Sequence, residues 1–403
     1  MTVSNRFQCT NTHLHFAFAF AFAFAFAFAF TAGEGSNSYV CSSPVTDTIS
    51  SLSWSPTADL LCSTCWDGKS HVFEVVKTGA NYNQAQANPK AECISENSHP
   101  VLCSAFDANG SVVYLGGADG TVRMWNLSQP LNGSPAPVLG RHERPVCAIS
   151  FYARNSWVVT AGYDGKVNFW SSNSNGQPVG SIPLNAKAFA MDLRGDVLVV
   201  ANSNQTITVI NMGGAQPAIF QTYTSELKFQ TRCISVLPDC SGFAVGGIEG
   251  RVSIFPFNEQ TKNENGKNQS NRFAFRCHRQ SDSSKKTHAF SINKIAFHPN
   301  QSFITAGGDG EITFWNYHKR SRLKRLIVNN YEQMMNNQPK YFKTMSNIPV
   351  TAANFNSQGS MLAYATGYDW SRGHAGKSPA NSPNKIYIYV VQQYDVETNP
   401  NKR

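Results

Sequence analysis

The residues able to carry chemistry in this chain are ten cysteines, ten histidines and one dense run of arginines and lysines. Cys62 and Cys65, in LLCSTCWDG, are the closest cysteine pair. A structural zinc site needs a second pair, or two histidines at ligand spacing, and neither is present, so no metal and no cofactor is expected. Most other cysteines, such as Cys103, Cys147 and Cys233, sit inside apolar runs, where a reduced thiol behaves as a small hydrophobe. A reduced, intracellular setting is the expectation. Catalytic signatures are missing: there is no Gly-Lys-Ser/Thr phosphate loop, no Gly-x-Ser-x-Gly elbow and no His-Glu-x-x-His pair. The chain is therefore expected not to be an enzyme.

What remains is charge. The formal balance is +9, and residues 272–325 hold eleven lysines and arginines against three acids, nearly the whole surplus. The run YHKRSRLKR, 317–325, follows Trp315 and contains Arg320, Arg322 and Lys324. Guanidinium and ammonium groups attract phosphates while Trp315 and Tyr317 offer faces on which bases stack, a combination suited to single-stranded nucleic acid. The same run also reads as a solvated strand and loop, or as a nuclear localisation signal.

The elements that must position these residues are repeats. Seven segments share one grammar: a short β-prone run, a turn, a second run, a tight turn on Asp-Gly or a relative, and a third run that often ends in Trp. They begin at Ile49, Val101, Val146, Ala188, Arg232, Ile292 and Val350, and their tight turns centre on Asp67, Asp119, Asp164, Asn204, Glu249, Asp309 and Asp369. Two-residue hairpin turns need positive φ, which Gly, Asn and Asp tolerate best. Turns 40 to 60 residues apart, with three or four strands per unit, predict an all-β, single seven-bladed β-propeller over residues 36–396. Residues 397–403 read as a polar tail. A propeller must close, because an open ring leaves two edges unpaired. The stretch around Tyr39 is predicted to close it as the outer strand of the seventh blade, beside IYIYV at 386–390. The polar insertions VKTGANYNQAQANPK and NEQTKNENGKNQSN read as exposed loops, and LIVNNYEQMMNNQPKYF, from 326, as a strand or a contacting turn.

The repeats resemble the WD-repeat family. Trp125, Trp170 and Trp315 fall where that family ends its third strand, and His99, His142 and His288 where its histidine precedes the first. The resemblance implies that each His is bonded through a Ser or Thr, here Thr160 or Thr305, to the turn Asp and the Trp. Within the family, IEGRVSIF, FAFRCHR, INKIAFHP and ATGYDWSRGH are similar to the Rae-type, or Gle-type, mRNA export factors of the nuclear pore and to the related Bub-type spindle-checkpoint proteins. YDWSRGH and the entry SSPVTDTISSLSWSP resemble the export factors specifically. This implies a non-catalytic adaptor that binds a nucleoporin carrying a GLEBS motif and RNA or mRNP, located at the nuclear pore, in the nucleus and in the cytoplasm. The alternative is a checkpoint adaptor binding GLEBS segments of kinases at kinetochores. Trp66 and Arg251 match the pair that contacts the GLEBS segment, and Arg320 and Arg322 match the RNA-binding side of export factors. Asn316 and Tyr317 depart from that pattern.

Residues 1–35 contain FAFAFAFAFAFAFAF. Its period is that of a strand, but both faces are apolar and no blade is left for it. Fifteen residues fall short of the roughly 20 that span a bilayer as a helix. Arg6 before it and Thr-Ala-Gly after it also fit a secretory signal, against which the unpaired cysteines argue. A disordered low-complexity extension is expected, with no membrane insertion. Ser378-Pro379 and Ser382-Pro383 read as proline-directed phosphorylation sites.

Overall fold

A computed structural model describes residues 38–41, 45–78, 84–328 apart from 132, 174, 259 and 263–267, 348–373 apart from 372, and 384–397. The Phe/Ala tract, the Ser-Pro sites, residues 398–403 of the tail and most of the insertion from 326 lie outside them. Among the described residues there are seven four-stranded antiparallel sheets. These are the blades.

Each blade follows from a local rule. Alternating strands put one row of side chains against the preceding blade and the other against the next, so both faces must be apolar. In blade three, Val159, Val167 and Phe169 pack toward blade four while Val158 and Trp170 pack toward blade two. The innermost strands of successive blades contact one another around the whole ring, from Ile49–Trp54 through Val350–Phe355 and back. Every innermost strand also slips register near its start, as at Ile49/Ser51 and Val350/Ala352, and such bulges increase local twist. The ring encloses a channel of about 570 Å3.

Closure occurs as the sequence predicts. Ser38–Cys41 pairs antiparallel with Lys385–Val390, with Tyr39 opposite Ile388 and Cys41 opposite Ile386. Blade one then packs on blade seven through Ile49, Leu61 and Phe73 against Met361, Ile386 and Ile388. All six are 1% exposed or less, each contributing about 1.5 to 3 kcal/mol by burial.

Three expectations change. The insertion after Val75 is mostly strand: Lys69–Thr78 and Gln84–Ile94 form a long hairpin. The one after Phe257 carries a short hairpin, Gln260–Lys262 with Asn268–Ser270. Hairpins are held by backbone hydrogen bonds, which polar composition does not forbid. Asp369 does not sit in a tight turn either, since its strand Met361–Thr366 reaches Lys385–Val390 only after a connection of 18 residues, 367–384. No described helix is long and apolar enough to cross a membrane.

Candidate functional sites

In an up-and-down blade, the turn from second to third strand and the connection to the next blade emerge at the same end. That end is one face of the ring. Trp66 lies there, 42% exposed, in the turn before Asp67. Its direction is set by its neighbours. The Asp67 carboxylate accepts from Thr46 Oγ1 at 2.6 Å and from the Lys69 amide at 2.9 Å. Burial alone would raise that carboxyl, but these bonds outweigh it and hold it below its ordinary value. Gly68 has φ +82° and a side chain there would meet the Ser98 backbone at 2.6 Å, so only glycine allows the turn. The Trp66 amide donates to Thr48 O, and its ring is left to solvent.

Arg251 begins the third strand of blade five, directly after the positive-φ Gly250, opposite Arg276 in register. It is half-buried and has no ion-pair partner among the described residues. Trp66 and Arg251 thus share one face but belong to different blades. The same face exposes Tyr163, Phe229, Ile248 and Trp370, which sequence reasoning did not single out. The signal was present for two of them: Tyr163 and Ile248 occupy the position that Trp66 does, just before the turn acid.

Buried polar networks fix these turns. In blade three, His142 Nδ1 lies 2.8 Å from Asp164 Oδ2, and Nε2 2.7 Å from Thr160 Oγ1, which also accepts from Trp170 Nε1 at 2.7 Å. One assignment satisfies every group: Nδ1–H donates to the carboxylate and Nε2 accepts the Thr160 hydroxyl. Burial pulls the His142 pKa below its ordinary 6.5, despite Asp164. Blade six repeats the network with Thr305, Asp309 and Trp315, but its histidine is His278, not His288. His288 instead pairs with Asp282 in the hairpin of Arg279–Ser281 and Thr287–Ala289. That hairpin is an insertion, so the residue that arrives beside Thr305 is ten positions earlier than spacing suggested. His99 is exposed, and the blade-two Asp119 binds Thr121 at 2.7 Å.

The basic run forms the outer strand of blade six, Ser321–Ile327, and a register shift between Phe314 and Trp315 divides it. Arg322 and Arg325 pair with Trp315 and Thr313 and face blade five; Lys324 pairs with Phe314 and faces blade seven. On the blade-five side Phe273, Phe275, Trp315 and Tyr317 form a cluster, with Phe275 and Trp315 centroids 4.7 Å apart. Arg320, in the preceding turn with φ 50°, stacks over Phe273 at 4.3 Å. Trp315 is half-buried and gives its Nε1–H to Thr305 at 3.0 Å. Lys324 is engaged elsewhere. Its Nζ lies 2.6 Å from both Asp395 Oδ1 and the Tyr389 hydroxyl, holding the short helix Gln393–Val396 against blades six and seven. Structure therefore brings Trp315, Arg320 and Arg322 together and separates Lys324 from them. Cys62 and Cys65 lie in a blade core, where burial pushes both thiols up to about 12, away from ligand or nucleophile duty.

The family model described as WD domain, G-beta repeat matches residues 35–74, 91–126, 133–171 and 280–316. Over 366 residues the chain is 38% identical to Protein RAE1 of Arabidopsis thaliana, covering 91% of this chain and 94% of that one. The chain belongs to the Rae/Gle-type WD-repeat mRNA export factors. Other members of this export-factor family agree: Poly(A)+ RNA export protein of Schizosaccharomyces pombe is 31% identical over 361 residues, and mRNA export factor GLE2 of Chaetomium thermophilum 30% over 365. Each match covers 89% of this chain and 92% of the relative. These matches run over nearly the whole length of both chains, so the likeness is not confined to one segment.

Proposed function

We propose that this protein is a non-catalytic adaptor in mRNA export, acting at the nuclear pore and moving between nucleus and cytoplasm. Family membership over nine-tenths of the chain is the observation that carries this reading. In it, the turn face takes a GLEBS-type nucleoporin segment through Trp66 and Arg251. An exposed indole gives an apolar anchor that desolvates on binding, and an arginine with no ion pair among the described residues is available to clamp a carboxylate. Tyr163, Ile248 and Trp370 extend the same apolar surface. RNA or mRNP lies along the seam of blades five and six, on Arg320 and Arg322 with Trp315 at its edge. Lys324 supports that strand through Asp395 instead of touching RNA.

The test is affinity for a GLEBS peptide with Trp66→Ala and Arg251→Glu. Each is expected to weaken binding by about tenfold or more, and unchanged binding by both removes the assignment. Affinity purification separates the alternative: recovery of checkpoint kinases in place of nucleoporins would favour a role at kinetochores.

A further inference from the structure

Each blade ends in an outer strand whose far edge is unpaired among the described residues. Such edges invite pairing with another chain, and proteins blunt them with charge, proline or short length. Four outer strands here carry charge: Gln84–Ile94, Val138–Arg141, Phe273–Arg276 and Ser321–Ile327. Gly180–Pro183 and Ser38–Cys41 have only four residues each, and the first ends in proline. Ala218–Thr224, the outer strand of blade four, differs: it is AIFQTYT, seven residues with neither charge nor proline. It leaves Ile219 49% and Phe220 62% exposed. Residues 167–186 and 197–225, which hold the outer strands of blades three and four, contain no charged side chain, on a chain of net +9. Hydrogen-bond alternation tells which groups lie on the edge. The Ser225 amide donates to Gln205 O, so Tyr223 and Gln221 bond inward to Thr206–Asn211, while Thr222 and Thr224 turn N–H and C=O outward. The register shift at Val209/Ile210 skips Phe220, but Gln221–Thr224 pair regularly.

We infer that this edge is a self-association surface, on which a second copy of the chain pairs its own Ala218–Thr224 antiparallel about a two-fold axis at Thr222. Antiparallel pairing of two identical strands is itself two-fold symmetric, so each copy offers the surface that the other needs. In this register Thr222 faces Thr222 of the second copy and Phe220 faces its Thr224, a Thr–Thr pair and an aromatic–β-branched pair of the kinds that stabilise sheets. Charge selects the occupant. In an isologous contact every charge near the axis meets its own like, so a chain of net +9 approaches a second copy at least electrostatic cost where it is neutral, and blades three and four supply that wall. A partner of opposite charge gains nothing there. Edge pairing buries a small area, so the dimer is weak and transient. It uses no residue of the turn face or of the basic strand, so the adaptor reading stands independently of it.

The test is sedimentation velocity of the full chain from about 1 to 100 μM, the range of weak interfaces. Wild type is expected to pass from monomer to dimer. Thr222 is exposed, and its backbone groups face outward, so Thr222→Lys and Thr222→Glu leave the inward ladder and the melting temperature unchanged. Each raises the dimer dissociation constant by about tenfold or more, because like charges then face each other at the axis. Mixed in equal amounts, the two variants recover dimer at the wild-type level or above, since Lys then faces Glu, a result that contact through another surface does not produce. Phe220→Lys is a second disruptor, while Val138→Lys, on the outer strand of blade two, leaves association unchanged. A wild type that stays monomeric overturns the inference. So does a dimer that both Thr222 variants and Phe220→Lys retain, as when copies meet through residues 1–35, and so does a mixture that fails to recover dimer.

Discussion

Lys324 decides between two accounts of the basic strand. Lys324→Met removes the cation from Asp395, whose side chain is 0% exposed, while Lys324 itself keeps 31% exposure. Breaking a buried pair from one side costs about 3 to 5 kcal/mol. Residual solvation of the ammonium, and the bonds that the Tyr389 hydroxyl (2.6 Å) and the Gln392 amide (2.9 Å) still give Asp395, lower this to about 2 to 3 kcal/mol. The assay is urea unfolding, read as the midpoint shift at constant m. Asp395→Asn in the Lys324→Met background should recover about 1 kcal/mol, since a neutral amide needs no cation. In parallel, the RNA salt slope of Lys324→Met stays at the wild-type value while that of Arg322→Gln drops by about 0.7. A Lys324→Met protein of unchanged stability with a reduced salt slope would refute the reasoning and return Lys324 to the RNA surface.

Thr160→Val leaves Trp170 Nε1–H without an acceptor and His142 Nε2 with only the Asn168 amide at 3.4 Å, and is expected to cost about 2 to 4 kcal/mol in the same assay, with Thr305→Val similar in blade six. Because burial holds His142 below 6.5, the unfolded chain takes up this proton first; its contribution to stability is present above pH 6.5 and is lost as pH falls toward the folded value. His71, also lowered by burial, adds in the same direction, so urea midpoints should fall between pH 7.5 and 5.5, and less so in His142→Gln. Deleting residues 1–35 leaves the melting temperature unchanged, whereas deleting 1–41 removes the strand beside Lys385–Val390, exposes that edge and promotes aggregation, measurable by light scattering.

Much of this protein was written in its local sequence. Turn glycines recur because the residue after the acid takes a positive φ, and turn acids recur because each carboxylate accepts the amide two residues on, so Asp67, Asp119 and Asp164 announce blades without any knowledge of neighbours. The exposure of Trp66 has a local cause as well, since a large apolar residue before such a turn has little to pack against within its own hairpin, and Tyr163 carries the same signal although the sequence reading passed over it. Closure by Ser38–Cys41 followed from counting edges. What local sequence did not determine was which residues meet across insertions. His278, not His288, reaches Thr305 because an intervening hairpin absorbs the extra residues, and spacing along the chain does not record distance through space. The basic run posed the same problem in smaller form. As a string it is one cluster of charge, but a register shift between Phe314 and Trp315 breaks the pleat, so that Arg322 and Arg325 face blade five and Lys324 faces Asp395 of the C-terminal helix. Local preference sets the elements; only packing around the ring decides which charges find partners and which are left for a ligand.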